Sequence, residues 1–102
     1  MKLDELTWLE VKQYLEHKKS MIMPVGTCEQ HGKHLPLNSD TMIAECIADF
    51  LSEETGIIIS PTINYGVNLP CYRYYSGTSS LTELILRKII FFYTRMVEAS
   101  RI

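Results

Sequence analysis

Two short apolar runs with a helical pattern between them constrain this chain more than any other feature. Met21-Ile22-Met23-Pro24-Val25-Gly26 lies between a charged segment and a glycine, and Ile57-Ile58-Ile59-Ser60-Pro61 is β-branched and closed by proline. Both predict short buried strands. Pro24 has no N–H to give a ladder, so it belongs at an edge or at the last rungs of its strand. Between the runs, Met42, Ile43, Cys46, Ile47, Phe50 and Leu51 recur at three- and four-residue steps. That spacing predicts a helix, and Gly56 stands where a helix-terminating glycine belongs. Strand, helix, strand in so few residues predicts a right-handed crossover and a parallel sheet. Sites in such sheets form outside the carboxyl ends of the strands.

The stretch leaving the first strand's carboxyl end is Gly26-Thr27-Cys28-Glu29-Gln30-His31-Gly32-Lys33-His34-Leu35-Pro36-Leu37-Asn38-Ser39-Asp40. It is the densest part of the chain in potential metal ligands. Glu29 and His31 are two apart, so in an extended segment their side chains point the same way. His31 and His34 share a face only if the backbone turns, which Gly32 permits. Carboxylate with imidazole favours zinc, manganese or iron over calcium or magnesium. Asp40 can coordinate, or it can cap the following helix, a role open to Ser39 too. The bland alternative is a polar turn whose histidines satisfy backbone groups, and spacing alone does not choose between the two. Cys28 is a candidate nucleophile only with His31 or His34 as its base.

The flanking segments are less specific. Thr7-Trp8-Leu9-Glu10 reads as a capping box opening a helix that presents Trp8, Val11, Tyr14 and Leu15 on one side. His17, in a charged run, reads as a surface residue. Residues 62–79 form a long connection in which Tyr72, Tyr74, Tyr75 and Arg73 suit a pocket wall for a polar, planar ligand, or an aromatic loop packed on its own domain. Ser80-Leu81-Thr82-Glu83 reads as a second capping box. The helix after it carries a stripe of Leu81, Leu84, Ile85, Ile89, Phe92 and Met96, expected to be buried. Leu86, Ile90, Phe91, Tyr93 and Val97 lie beyond that stripe, and this surplus predicts a partner surface or further chain.

Composition sets outer bounds. With 102 residues and 46% hydrophobic content, one domain with a real core is expected. Ten basic against twelve acidic residues form no basic patch, which argues against nucleic acid. Acidic residues at the amino terminus do not suit a signal peptide, and Arg87, Lys88 and Arg95 break the most apolar segment. Three cysteines without a CxxC pair read as free thiols. A cytoplasmic protein without membrane attachment is expected.

The run from Pro24 to Asp40, PVGTCEQHGKHLPLNSD, resembles the signature of the creatininase (creatinine amidohydrolase) family, close to PVGSxEQHGPHLPLxTD. Asn64-Tyr65-Gly66 and Ser76-Gly77-Thr78-Ser79-Ser80-Leu81 are similar to the family's YG and PGTxSL segments. The resemblance implies an α/β fold, a three-layer αβα sandwich with a mainly parallel sheet. It also implies metal-dependent hydrolysis of a cyclic or linear amide C–N bond, with two divalent metals in each complete site (zinc, or else manganese or iron). By the same resemblance Glu29 and His31 would each hold one metal and Asp40 would bridge both. His34, Tyr65, Arg73, Gly77 and Thr78 would support the site or line the substrate loop, and no catalytic proton-transfer residue is assigned within the chain.

Lys33, Ser39 and Ser76 replace a usual proline, threonine and proline, and none of these changes removes a proposed ligand. Family enzymes are more than twice as long and carry their remaining ligands in a second half with an NGHGGN-like segment. Residues 1–102 are therefore expected to form a single partial domain, the truncated first half of that fold, inactive alone. A small amide substrate in the complete enzyme and a homo-oligomer are the expected partners. The alternative is a non-catalytic domain that buries its last helix in an oligomer.

Overall fold

A computed structural model describes residues 1–99, with the side chains of all of these except Tyr72, Arg73 and 96–99. The parts expected of Tyr72, Arg73, Met96 and Val97 thus fall outside the described side chains. Helix α1 (Trp8–His17), strand β1 (Met21–Ile22), helix α2 (Ser39–Thr55), strand β2 (Ile58–Ile59) and helix α3 (Glu83–Ala99) follow in order. The strands pair in parallel, Met21 with Ile58 and Ile22 with Ile59, as the crossover pattern requires. The ladder outruns the regular strands. Ile63 donates to the Pro24 carbonyl at 3.0 Å and Gly26 donates to Ile63 at 2.8 Å, so Pro24 accepts where it cannot donate. On the other edge of β2, Lys2 pairs in parallel with Ile59.

Helix ends follow their local chemistry, with corrections to the expected caps. Thr7 accepts from the Glu10 amide, but the Glu10 carboxylate meets the Thr7 hydroxyl and not its amide. Half of that capping box is formed. The N-cap of α2 is Asn38 rather than Ser39 or Asp40: its carbonyl accepts from Met42 N–H at 2.9 Å, while the Ser39 hydroxyl turns back to the Pro36 carbonyl at 2.7 Å. Gly56 ends α2 in the left-handed region at φ 71°, and the Lys18 ammonium donates to the Thr55 carbonyl there. Thr82, not Ser80, caps α3 by accepting from the Ile85 amide at 3.3 Å. The Tyr14 hydroxyl joins α1 to the sheet, accepting from Ile58 N–H at 3.0 Å and donating to the Ser20 carbonyl at 2.7 Å.

The core is smaller than the composition suggests. Ala48, Ile58 and Ile59 are the buried apolar residues among those described, and no large side chain is fully buried. The radius of gyration is 15.7 Å, against about 13 Å for a closed domain of this length. Two helices explain the difference. Helix α2, which packs on β2, buries Thr41, Ala48 and Ser52, small residues that let backbones approach; Thr41 lies against Gly26, and Ser52 donates to the Ile57 carbonyl. Met42, Ile43, Ile47, Phe50 and Leu51, which recur at helical steps, are 42–63% exposed. On α3 the expected division of faces does not hold. Leu86, Ile90 and Tyr93 are half-buried, whereas Leu84, Ile85, Ile89 and Phe92 of the expected buried stripe are exposed. Apolar spacing identifies an apolar face, but which face is covered depends on what the rest of the fold supplies.

Candidate metal centre

The loop between β1 and α2 begins with a close approach. A Cβ on Gly26 would lie 2.5 Å from the Thr41 Cα, so only glycine lets the strand end pass the first turn of α2. The loop then closes on itself: Glu29 N–H donates to the Leu37 carbonyl at 3.1 Å. Gly32 turns it with φ 76°. These constraints bring together side chains that are far apart along the loop.

Glu29, His31 and Asp40 each present a ligand atom, and all three atoms lie within 4.8 Å of one another. His31 Nε2 is 3.3 Å from Asp40 Oδ1, with the two side chains 23% and 40% exposed. Two donors on one tetrahedral zinc, with bonds of roughly 2.0–2.1 Å, stand about 3.4 Å apart. His31 Nδ1 is 2.9 Å from the Glu29 carbonyl. That carbonyl can only accept, so Nδ1 carries the proton and, in the neutral ring, Nε2 offers its lone pair. A backbone acceptor behind a ring nitrogen is how ligating histidines are usually held. The Glu29 carbonyl is also the main reason the His31 pKa is raised; the Asp40 carboxylate adds to it, and desolvation opposes both. The donor set and its geometry fit a divalent metal.

The other predicted residues take different places. His34 is exposed, its ring lies beside Gly32, and it is not one of the three converging side chains. The Cys28 thiol donates to the Gly77 carbonyl at 3.4 Å, which gives no sign of a cysteine–histidine pair. Cys28, Cys46 and Cys71 are all free thiols. Gly77, at φ 86°, packs its backbone against Leu37 at the far end of the ligand loop. Thr78 accepts from the Gln30 amide at 2.9 Å through its hydroxyl. Tyr65 is 59% exposed, and Pro70–Tyr74 form a short 3-10 turn.

One residue that the sequence reading passed over proves central to the loop. Asn68 bonds to the ligand loop and to the 79–80 segment at once. Nothing local marks it: an asparagine in a long polar connection looks like an ordinary turn residue.

The creatininase family profile, described as creatinine amidohydrolase, matches residues 4–101. The chain belongs to the creatininase family. It is 33% identical over 81 residues to the mycofactocin precursor peptide peptidase of Mycolicibacterium smegmatis, covering 74% of this chain and 32% of that protein. Among solved structures it is similar to a creatininase in its manganese form, at 25% identity and a TM-score of 0.90. A mutant creatininase of Zn–Zn type gives the same identity and score. Each of these covers 97% of this chain and 40% of the creatininase. The α/β fold is therefore that of the creatininases, and the chain spans about a fifth to two fifths of the length of the relatives it matches. No helix among the described residues is long and apolar enough to cross a membrane.

Proposed function

We propose that this chain supplies the metal-holding loop of a creatininase-type amidohydrolase, acting on a small cyclic or linear amide in the complete fold. The observation that carries the reading is the convergence of Glu29, His31 and Asp40, with the His31 proton committed to the Glu29 carbonyl. Glu29 and His31 would act as terminal ligands. Asp40, whose carboxylate has two oxygens and faces His31, would serve as the bridge between two divalent ions. Zinc and manganese suit this donor set, and both occur in the similar creatininase structures. Bound there, such ions supply a low-pKa water and polarise an amide carbonyl.

What the chain's own residues do is narrower. His31 keeps its lone pair outward because its other nitrogen is occupied. Asp40 is delivered by the rigid first turn of α2, and its negative charge also suits that helix N-terminus. Three protein donors do not fill two coordination spheres, so amide hydrolysis is assigned to the complete fold and not to residues 1–102 alone. Calorimetric titration of the purified chain with zinc is expected to show binding. His31→Ala should weaken it by more than about a hundredfold, since loss of a ligand should exceed the roughly 10–100-fold cost typical of losing an outer partner. Equal affinity in the two proteins would overturn the reading.

A second reading rests on a separate observation, the exposed apolar faces of α2 and α3. In it the chain is a non-catalytic domain that associates with copies of itself through those faces. Light scattering distinguishes it: a discrete oligomer is expected, and a monodisperse monomer would sink it.

A further inference from the structure

We propose that Asn68 is a positioning residue for the metal centre, acting with Thr78 to fix the peptide units on either side of Glu29. This rests on the metal-centre reading and goes beyond it by identifying what holds the ligand loop in register. The four successive backbone groups around Glu29 are each committed, its own carbonyl to His31 Nδ1. The Cys28 carbonyl accepts from Ser79 N–H at 3.0 Å, and Glu29 N–H donates to Leu37. Gln30 N–H donates to the Thr78 hydroxyl at 2.9 Å. Asn68 Nδ2 adds a second donor to the Cys28 carbonyl, at 3.3 Å, and its other proton goes to the Ser79 carbonyl at 2.6 Å. One amide group thus joins the ligand loop to the segment that follows the aromatic connection.

The opposite face of the same amide is also occupied. Asn68 Oδ1 accepts from the Thr27 hydroxyl at 3.0 Å, and that hydroxyl accepts from Gly66 N–H at 3.3 Å. The Thr27 carbonyl in turn accepts from Thr41 at 3.4 Å, next to Asp40 on α2. Flipping the Asn68 amide would set its oxygen against two carbonyl oxygens, so the orientation is unique. An aspartate offers no donor for those carbonyls, and a serine offers one at most. The Asn68 backbone amide is held as well, donating to the Ser80 hydroxyl at 2.9 Å.

None of these atoms is offered to a metal. Their effect is to restrict where Glu29 can place its carboxylate relative to His31 and Asp40. Removing such support from ligating side chains typically lowers metal affinity roughly 10–100-fold. In the resting chain, Thr78 should also protect the Gln30 amide from exchange, a property independent of any metal.

The test compares wild type, Asn68→Ala, Thr78→Val and Thr78→Ser by zinc calorimetry, with amide exchange at Gln30 read by NMR and secondary structure by circular dichroism. Expected are a roughly 10–100-fold weaker zinc affinity in Asn68→Ala and Thr78→Val and wild-type affinity in Thr78→Ser, whose hydroxyl still accepts from Gln30. Exchange at Gln30 should speed up in Thr78→Val and not in Thr78→Ser. If Asn68→Ala fails to fold, the valine and serine variants decide the matter by the same criteria. Wild-type affinity in the alanine and valine variants, or equal losses in Thr78→Val and Thr78→Ser, would overturn the proposal while the metal-centre reading stood. A wild-type chain that binds no zinc would overturn both.

Discussion

The ligand loop, residues 26–40, and helix α3 are organised in opposite ways. The loop is irregular, polar and without internal periodicity, yet backbone and side-chain bonds from residues 63, 68, 78 and 79 hold it. Helix α3 is regular and satisfies its own backbone. It nevertheless leaves Leu84, Ile85, Ile89, Phe91 and Phe92 between 41% and 60% exposed. Regular secondary structure is thus no guide to where this molecule is well determined. A helix needs tertiary contact to bury its apolar side, whereas a loop needs it to satisfy its backbone. In this chain the second requirement is met and the first is not.

The largest expected effect strikes where the loop joins the helix layer. Gly26→Val places a branched side chain against the Thr41 backbone, which no rotamer relieves. We expect a loss of about 3 kcal/mol or more, at the upper end of overpacking costs. Denaturant unfolding measures it, and a near-wild-type midpoint would show that the strand end and α2 have room to separate. Phe92→Ser is the counterpart on α3. At 60% exposure it should change the unfolding free energy by no more than about 0.5 kcal/mol, while reducing self-association seen by light scattering. A loss of several kcal/mol would mean that α3 is covered in solution and would remove the contrast.

The smallest effect is the pH dependence of the loop itself. The pKa of His31 is raised above its usual 6.5, first by the Glu29 carbonyl and then by Asp40. In the metal-free protein the protonated ring therefore adds stability that is complete below about pH 6.5 and is lost as pH rises through the raised value. Zinc held at Nε2 would reverse the sign, because it would compete with the proton there, so zinc affinity and zinc-dependent stability should fall as pH drops through the same region. Thermal midpoints across that range, with and without zinc, check the two slopes. Parallel slopes would exclude His31 as the residue where metal and proton compete.

Several parts of this arrangement were legible beforehand, each for a local reason. The parallel pairing of Ile22 with Ile59 follows from two β-branched or apolar runs too far apart for a hairpin. The end of α2 follows from Gly56, whose left-handed φ suits a residue without a side chain. Glu29 and His31 go together on the sequence because they are two residues apart on an extended segment. Asp40 was ambiguous between cap and ligand. The Asn38 cap and the 3.3 Å approach to His31 resolve its position, and both depend on how the loop closes. Asn68 was not legible, since its partners Thr27 and Cys28 lie about forty residues away in sequence.

Sequence alone therefore determined the elements, their order, the parallel sheet and the stretch in which the ligand-type residues are concentrated. These depend on side-chain chemistry at neighbouring positions, and neighbouring positions are what a sequence displays. Tertiary structure decided which face of α2 and α3 is covered, that small residues and not large ones line the α2–β2 contact, and how Asn68 holds the loop around Glu29. Those outcomes depend on surfaces and carbonyls brought together from distant parts of the chain. Burial and hydrogen-bond satisfaction are properties of the assembled fold, not of any one segment.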